Sequence, residues 1–363
     1  MKKTKKSTAV NSGIDIYSST KRHARHAKVK PANRQKRIII ILVSIIAVLA
    51  LLFGGAYWYL NDLLNNVNRG ETYTPSELGV NSTLEEHEVI NIALLGIDTR
   101  TESFKGRSDA IIILTIDKEH DKIKMTSIAR DSYVEIEDRG YDKLTHAYAY
   151  GSARLAMKTI NENYDMNITD YVTVNFFGIA DIIDEIGGLT VDVDESERYV
   201  MNTEYVPELN RIGIPCEKIT KTGPQHLTGA QALAYSRNRY SPGGDAARTG
   251  RQREILSLMF ERVKKMGISK LPGLIKMALG KCETSLTNNE ITSMATWALT
   301  KSPTIESLSI PDEDCGEKSG DDAFIGKYWY SIYDLNIATQ KIHDFIKEEG
   351  TYLKSQETTS ATN

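Results

Sequence analysis

The sequence predicts an α/β fold, a central sheet with helices on both faces, behind a single N-terminal transmembrane helix. Three observations predict it. A long uncharged apolar stretch precedes everything globular. Short β-branched runs then alternate with segments of helical period, and the charge is split into unlike pieces on either side of the apolar stretch.

The 363 residues carry 45 Lys and Arg against 48 Asp and Glu, a formal charge of −3. Residues 1–37 hold twelve of the basic residues and one acid, Asp15, so this segment is +11; residues 38–60 are uncharged, and the remainder is −14. The neutral piece reads IIIILVSIIAVLALLFGGAYWYL. As a helix it is about 35 Å long, enough for a hydrocarbon core of about 30 Å. Tyr57, Trp58 and Tyr59 fall at its far end, where amphipathic rings favour the interface, and Lys36 and Arg37 abut its near end. That places the 1–37 tail in the cytoplasm and the chain after about residue 61 outside. A cleaved signal peptide has a core of about 7–15 apolar residues and a small-x-small cleavage site; this segment has neither. The basic tail is read as a topology signal resting on anionic lipid. No helix-turn-helix pattern or zinc-finger spacing follows it, so nucleic-acid binding is not expected.

Residues 61–87, polar with Pro75 and Gly79, are read as a stalk. Val89–Ile97, Ala110–Ile116 and Lys122–Ile128 are apolar runs suited to strands buried on both faces. Leu144–Asn163 has the helical period; Tyr171–Asn175 reads as strand and Phe176–Ile186 as helix. Gly187-Gly188 stops that helix before a strand at Leu189–Val193. Gln231–Arg237 and Arg251–Lys265 read as helices flanking a Gly-rich loop, Ser241–Gly250. Ile291–Thr300 and Tyr333–Glu348 are the last predicted helices, around a strand near Ser307–Ile310, and residues 350–363 are read as a disordered tail.

The sequence has no His-Glu-x-x-His, no Gly-x-Ser-x-Gly and no P-loop, which removes the common zinc hydrolases, serine hydrolases and P-loop NTPases. Cys216, Cys282 and Cys315 all fall outside the membrane; Cys282 and Cys315 are candidates for a disulfide, and the odd count leaves one unpaired.

Polar groups concentrate at strand ends: Asp98 and Arg100 after the first run, Arg107 and Asp109 before the second, Arg130 and Asp131 after the third. Ligand sites of α/β sheets lie outside strand ends, so these groups can converge. The densest cluster is Arg237, Arg239, Asp245, Arg248, Arg251, Gln252 and Arg253, five arginines with one acid and no lysine. Arginine alone is favoured where planar, bidentate recognition of phosphate matters, and a pyrophosphate relieves the repulsion among five guanidinium groups. The plainer reading, salt bridging to the acidic stretch 181–197, accounts for one or two of them. Asp98 and Asp109 beside such an anion imply a bridging divalent cation, Mg²⁺ or Mn²⁺, unless each carboxylate only pairs with its neighbouring arginine.

The ordered run NIALLGIDTR, GRSDAIIILTID, MTSIARDSYVEI, KLTHAYAYG, ITDYVTVNFFGIADIIDEIGGLTVDV, LTGAQALAYSRNRY and GDAARTGRQREIL resembles the LytR–CpsA–Psr family of bacterial cell-envelope proteins over roughly residues 90–265. The resemblance implies an extracellular domain, taken as 88–349, with a mixed central sheet. It also implies a phosphotransferase that moves a glycopolymer from a polyprenyl-pyrophosphate carrier to a peptidoglycan muramic acid hydroxyl. Asp98 and Asp109 match the family's Mg²⁺-associated acids. Arg100, Arg107, Arg130, Arg237 and Arg239 match arginines around the lipid pyrophosphate, and Asp245, Arg248, Arg251 and Gln252 match its Asp-x-Gly-Arg-x-x-Arg-Gln stretch. Asp98, Asp109 and Arg130 are the catalytic candidates. Ala247 stands where Gly is usual, which puts the loop's conformation in question. A polyprenyl-pyrophosphate hydrolase and a non-enzymatic envelope sensor or transcriptional attenuator are the alternatives. Helices within 144–186 are the expected groove for the isoprenoid. The aromatic group Tyr328, Trp329, Tyr330 and Tyr333 fits packing before it fits sugar stacking and is left out of the site.

Overall fold

The computed structural model describes residues 68–80, 89–266, 271–318 and 320–348. A short edge strand, β1 (Asn68–Arg69), precedes β2 (Val89–Asp98), β3 (Arg107–Asp117) and β4 (Lys122–Ile128), the three runs marked in the sequence. A hairpin, β5 (Tyr133–Ile136) and β6 (Gly140–Lys143), leads into α1 (Leu144–Tyr164), β7 (Asp170–Asn175) and α2 (Phe176–Glu185). Next come β8 (Leu189–Val193), α3 (Glu195–Val200), a π-turn at Met201–Tyr205, α4 (Val206–Arg211), β9 (Gly223–Leu227), α5 (Gly229–Arg237) and α6 (Gly244–Met266). The chain closes with α7 (Leu271–Gly280), β10 (Cys282–Thr284), α8 (Asn288–Lys301), β11 (Thr304–Ile310), β12 (Phe324–Ile325), β13 (Tyr328–Trp329) and α9 (Leu335–Lys347).

Seven strands form one mixed sheet in the order β1-β10-β7-β2-β3-β4-β11. β3 is antiparallel to β2 and β4, while β2–β7 and β4–β11 are parallel. Because side chains alternate across a strand, the apolar runs serve two faces. Leu95, Ile97, Ile111 and Ile113 pack under α1 and α9. On the other face Ile92 and Ile116 meet Ile291, Met294 and Trp297 of α8. Farther along that face, α2, α5 and α6 build a separate cluster with β8 and β9 around Val191, Leu233 and Ile255.

Several details depart from the expectations. Residues 68–80 are packed against the domain: Leu78 is fully buried, and its carbonyl accepts a hydrogen bond from Asn161 Nδ2 at 2.9 Å. The domain therefore begins before residue 88. α6 starts at Gly244, seven residues ahead of the expected helix, because Gly243 and Gly244 make the left-handed turn (φ 89° and 55°) and Asp245-Ala246-Ala247 are free to follow as a first helical turn. Ala247 donates its N–H to the Gly243 carbonyl at 3.1 Å inside that helix, so it needs no positive φ and replaces Gly without strain. Helix α1 is interrupted at Gly151 and Ser152. The three thiols are free and buried. The candidate pair Cys282–Cys315 is not formed: Cys282 opens β10 near one edge of the sheet, and Cys315 lies in the turn Glu313–Cys315 that follows β11 at the other edge. The expected membrane span at 38–60, the tail at 1–37 and the residues 350–363 lie outside the described residues. Among the described residues no helix is long and apolar enough to cross a membrane.

β4 is tied to the end of the chain by a buried charge. Lys124 is fully buried, and its ammonium donates to Asp117 Oδ2 at 2.8 Å and to the Ile346 carbonyl at 2.8 Å, with Glu348 at 3.1 Å. Burial works against the Asp117 charge, but hydrogen bonds from Lys124 and His120 outweigh it and hold its pKa below the usual value. A depressed carboxylate pKa stabilises the fold above the unfolded value of about 3.9, and this contribution is lost as pH falls through the folded value. Asp117→Asn is expected to lower the unfolding free energy by about 3 kcal/mol at pH 7 in urea titrations. The difference from wild type should vanish in strong acid; a constant difference down to pH 2 would refute the assignment.

Candidate active site

Sheet geometry brings the strand-end carboxylates to one side. Gly96 pairs with Ala110, but Ile97 pairs with Ser108, so Asp109 is an extra residue in β3, a β-bulge. In an unbulged strand Ser108 would share the face of Ala110. The bulge resets the alternation, and Arg107 and Asp109 line the same cavity as Asp98, Ala110 and Ile112. The floor beneath them is made of the two smallest side chains. A Cβ on Gly96 would come within 2.9 Å of the Ala110 Cβ. The loop from β2 to β3 is pinned by Asn175, whose amide donates to the Glu102 and Ser103 carbonyls at 2.8 and 3.2 Å.

Arg130, which follows β4, bonds Asp109 Oδ2 at 2.9 Å and Asp131 Oδ2 at 3.1 Å, and Asp131 accepts from Lys143 at 2.7 Å. Burial opposes the Arg130 charge, yet Asp109, Asp131 and Asp245 hold its pKa above the ordinary value. Asp98 differs. Its Oδ1 is buried with no hydrogen-bond partner, and Arg100 Nε is 4.0 Å away. Burial first, and the neighbouring Asp109 charge second, push its pKa up.

The end of α5 and the start of α6 supply the arginines. Arg237 lies 4.1 Å above the Phe176 ring and pairs with Glu208 at 3.2 Å; Glu208 also bonds Arg100. Arg239 is stacked on Tyr240, 4.9 Å from the ring centroid. Arg248 is 4% exposed, bonds Asp245 at 2.6 Å, and leaves its Nε without a hydrogen-bond partner. Burial draws its pKa down despite that pairing. A guanidinium buried with an idle donor is stabilised by an anion, as the buried idle oxygen of Asp98 is by a cation.

One cavity of ≈ 630 Å³ joins these groups to an apolar interior. Its charged end is lined by Asp98, Asp109, Arg130, Arg237, Arg239 and Arg248, with Arg100, Arg107 and Gln252 beside them. Its other end is hydrocarbon from the middle of the sheet and the facing helices, including Leu94, Val172, Ile179, Leu256 and Met259. The apolar walls thus come from β7, α2 and α6. Helix α1, included in the groove expected from the sequence, packs on the opposite face of the sheet.

Two of the expected residues stand apart from the cavity wall. Arg251 is engaged on every nitrogen, by Glu197 at 2.7 Å, the Asn238 carbonyl at 2.8 Å and Ser241 at 2.7 Å. It is the arginine that pairs with the acidic stretch 181–197, and it fixes the α5–α6 turn. Asp245 acts through Arg248. Glu208 was not among the sequence candidates, because a lone acid on a short helix carries no spacing signal; its role emerges only when α4 is laid beside α5. Arg251→Ala is expected to lower stability by about 3 kcal/mol. Arg237→Ala should cost less, because Glu208 keeps its pairing with Arg100. Thermal and urea unfolding of the two variants measure the contrast, and equal losses would contradict it.

A model described as the LytR_cpsA_psr family matches residues 58–344. A polyisoprenyl-teichoic acid–peptidoglycan teichoic acid transferase, TagU, of Bacillus cereus is 30% identical over 310 residues, 83% of this chain and 94% of its own. Biofilm regulatory protein A of Streptococcus mutans is 31% identical over 274 residues, 71% of this chain and 64% of its own. Among solved structures, TagT bound to LIIa-WTA superimposes with a TM-score of 0.55 at 26% identity, covering 77% of this chain and 96% of that one. The match runs through the bulged strand pair and the arginine helices alike, and the chain belongs to the LytR–CpsA–Psr family.

Proposed function

We propose that this chain is a phosphotransferase that moves an anionic or secondary cell-wall glycopolymer from a polyprenyl-pyrophosphate carrier to a muramic acid hydroxyl of peptidoglycan. The observation that carries this reading is the continuity of the cavity: arginines at one end and hydrocarbon at the other match a pyrophosphate joined to an isoprenoid. The names of TagU, a teichoic acid transferase, and of TagT bound to LIIa-WTA support it. Residues 38–60 hold the chain in the membrane in a single pass, with the N-terminus cytoplasmic and the cavity outside, in a Gram-positive envelope.

In this reading Arg237, Arg239 and Arg248, with Arg100, Arg107 and Gln252, bind the pyrophosphate and offset the charge that grows on the leaving phosphate. The acceptor hydroxyl oxygen bonds to the phosphorus that bears the glycan. The bond from that phosphorus to the bridging oxygen breaks, and polyprenyl phosphate leaves with the electron pair. The hydroxyl proton goes to a carboxylate, and Asp98 suits this better than Asp109, which Arg130 already holds. The pair also fits a divalent cation, Mg²⁺ or Mn²⁺, since two carboxylates adjoin and one keeps a buried idle oxygen. Such an ion would add charge neutralisation at the phosphate oxygens.

The full chain in detergent, given a lipid-pyrophosphate-linked glycan, peptidoglycan oligomers and Mg²⁺, is expected to form the joined product. Arg130→Ala and Asp98→Asn should each lower turnover by about 100-fold or more. Carrier cleavage without joining would replace this reading by a hydrolase, and tight binding with neither reaction by a sensor. Millimolar Mg²⁺ should raise the thermal midpoint of the wild-type chain and leave that of Asp98→Asn unmoved; equal shifts would exclude Asp98 as a ligand.

A further inference from the structure

The cavity leaves one group of aromatic rings unused, and these rings gather beside its charged end. Tyr133 and Tyr141 come from the β5–β6 hairpin, Tyr150 from α1, Tyr328 and Trp329 from β13, and Tyr330 follows it. The Tyr133 ring is 5.1 Å from both Tyr141 and Tyr330. Lys143 Nζ lies 5.4 Å over Tyr330 and 5.9 Å over Trp329, and the Arg139 guanidinium lies 4.9 Å over Tyr150. Tyr141, Tyr150, Tyr328 and Trp329 are nonetheless 55%, 44%, 57% and 38% exposed. Rings of this size are normally covered, and a contiguous exposed group marks an interaction site. Tyr333, by contrast, is core: its hydroxyl bonds Ser132 at 2.7 Å and Tyr164 at 2.6 Å.

The platform is continuous with the reacting groups. Lys143, under the rings, bonds Asp131 at 2.7 Å; Asp131 bonds Arg130 at 3.1 Å; Arg130 bonds Asp109 at 2.9 Å. Three consecutive ion pairs thus link the rings to Asp109. The charge on the platform selects among occupants. Asp131 and Asp142 sit among the rings together with Lys143, Arg139 and Lys327, and Asp142 accepts from Tyr150 and His146 at 2.8 Å. Charges of both signs interleave and pair, which suits an uncharged, hydroxyl-rich occupant. Electron-rich ring faces attract the C–H faces of a pyranose, and the tyrosine hydroxyls and carboxylates accept or donate at its edge. A bilayer is the poorer fit: the hydrocarbon end of the cavity, where an isoprenoid leaves for the membrane, is formed by the middle of the sheet and by α2 and α6, whereas the rings flank the strand-end carboxylates.

We infer that this platform is an acceptor subsite, stacking the N-acetylhexosamine units of a peptidoglycan glycan strand so that a hydroxyl reaches the Asp98–Asp109 end of the cavity. The inference rests on the transferase reading for the identity of the acceptor, while the binding itself does not.

The test uses the full chain in phosphatidylglycerol nanodiscs. Trp58→Phe and Trp297→Phe leave Trp329 as its single tryptophan, and chitohexaose is the uncharged probe. Saturable change of Trp329 emission is expected, lost in Tyr328→Ala and weakened about tenfold in Tyr141→Ala. No response to chitohexaose, or quenching of Trp329 by brominated lipid, would overturn the subsite, the second in favour of a membrane contact. In the transfer assay Trp329→Ala should raise the acceptor KM about tenfold with the donor KM unchanged, and Trp329→Phe should restore most of it. An unaltered acceptor KM in a transferring, folded Trp329→Ala chain would overturn the subsite and leave the transferase reading standing. Chitohexaose binding without transfer would do the reverse.

Discussion

The site depends on a single extra residue in a strand. Asp109 sits in a bulge opposite Gly96–Ile97, and this one-residue insertion turns Arg107 and Asp109 to the face already occupied by Asp98. In a regular β3 the period of two would send them into the apolar layer beneath α1. The cost of misplacing a carboxylate there is several kcal/mol, so register and chemistry are fixed together. Gly96 and Ala110, directly below, keep the face open where any larger pair would close it.

Around that pair the protein spends its acids unevenly. Arg130 and Arg251 are held by fixed carboxylates and are rigid supports. Arg100 and Arg237 share Glu208, whose pKa stays below the usual range because the two guanidinium groups outweigh its burial. Glu208 is thus a resident anion that keeps two arginines poised at the cavity wall. Arg248 keeps an idle donor. This gradation, from saturated to under-paired, is what preorganisation requires: donors set in place before the phosphate arrives, with little reorganisation afterwards.

Six of the thirteen described strands, β2, β3, β4, β7, β8 and β11, and most helices were legible, because burial leaves β-branched runs and because α1, α2 and α9 carry a 3.6-residue period. The others, β1, β5, β6, β9, β10, β12 and β13, two to five residues each, are too short to carry such a pattern. The site clusters were legible as residue types at strand ends. What sequence could not separate was Arg248 from Arg251. They are three residues apart on one helix, and only their partners distinguish them, Glu197 and Ser241 being distant in the chain. Leu78 was lost for a similar reason, since one apolar residue in a polar stretch has no period. The α6 start was misread because Gly243-Gly244 signals a loop, and nothing local says that the loop ends at once. The Ala247 substitution looked like a conflict only while that segment was taken as a turn.

The clasp on Lys124 has a bearing on how the protein is made. Strand β4 is an interior strand only after β11 pairs with it, and two of the three partners of its buried ammonium, Ile346 and Glu348, come from the end of the described chain. Until those last residues are in place, an apolar sheet edge stays open and the Lys124 ammonium has only Asp117 beside it. Contacts this remote in sequence form late. The domain therefore completes its sheet only when its last strand and helix are available, and a chain cut short of them keeps an open edge prone to association.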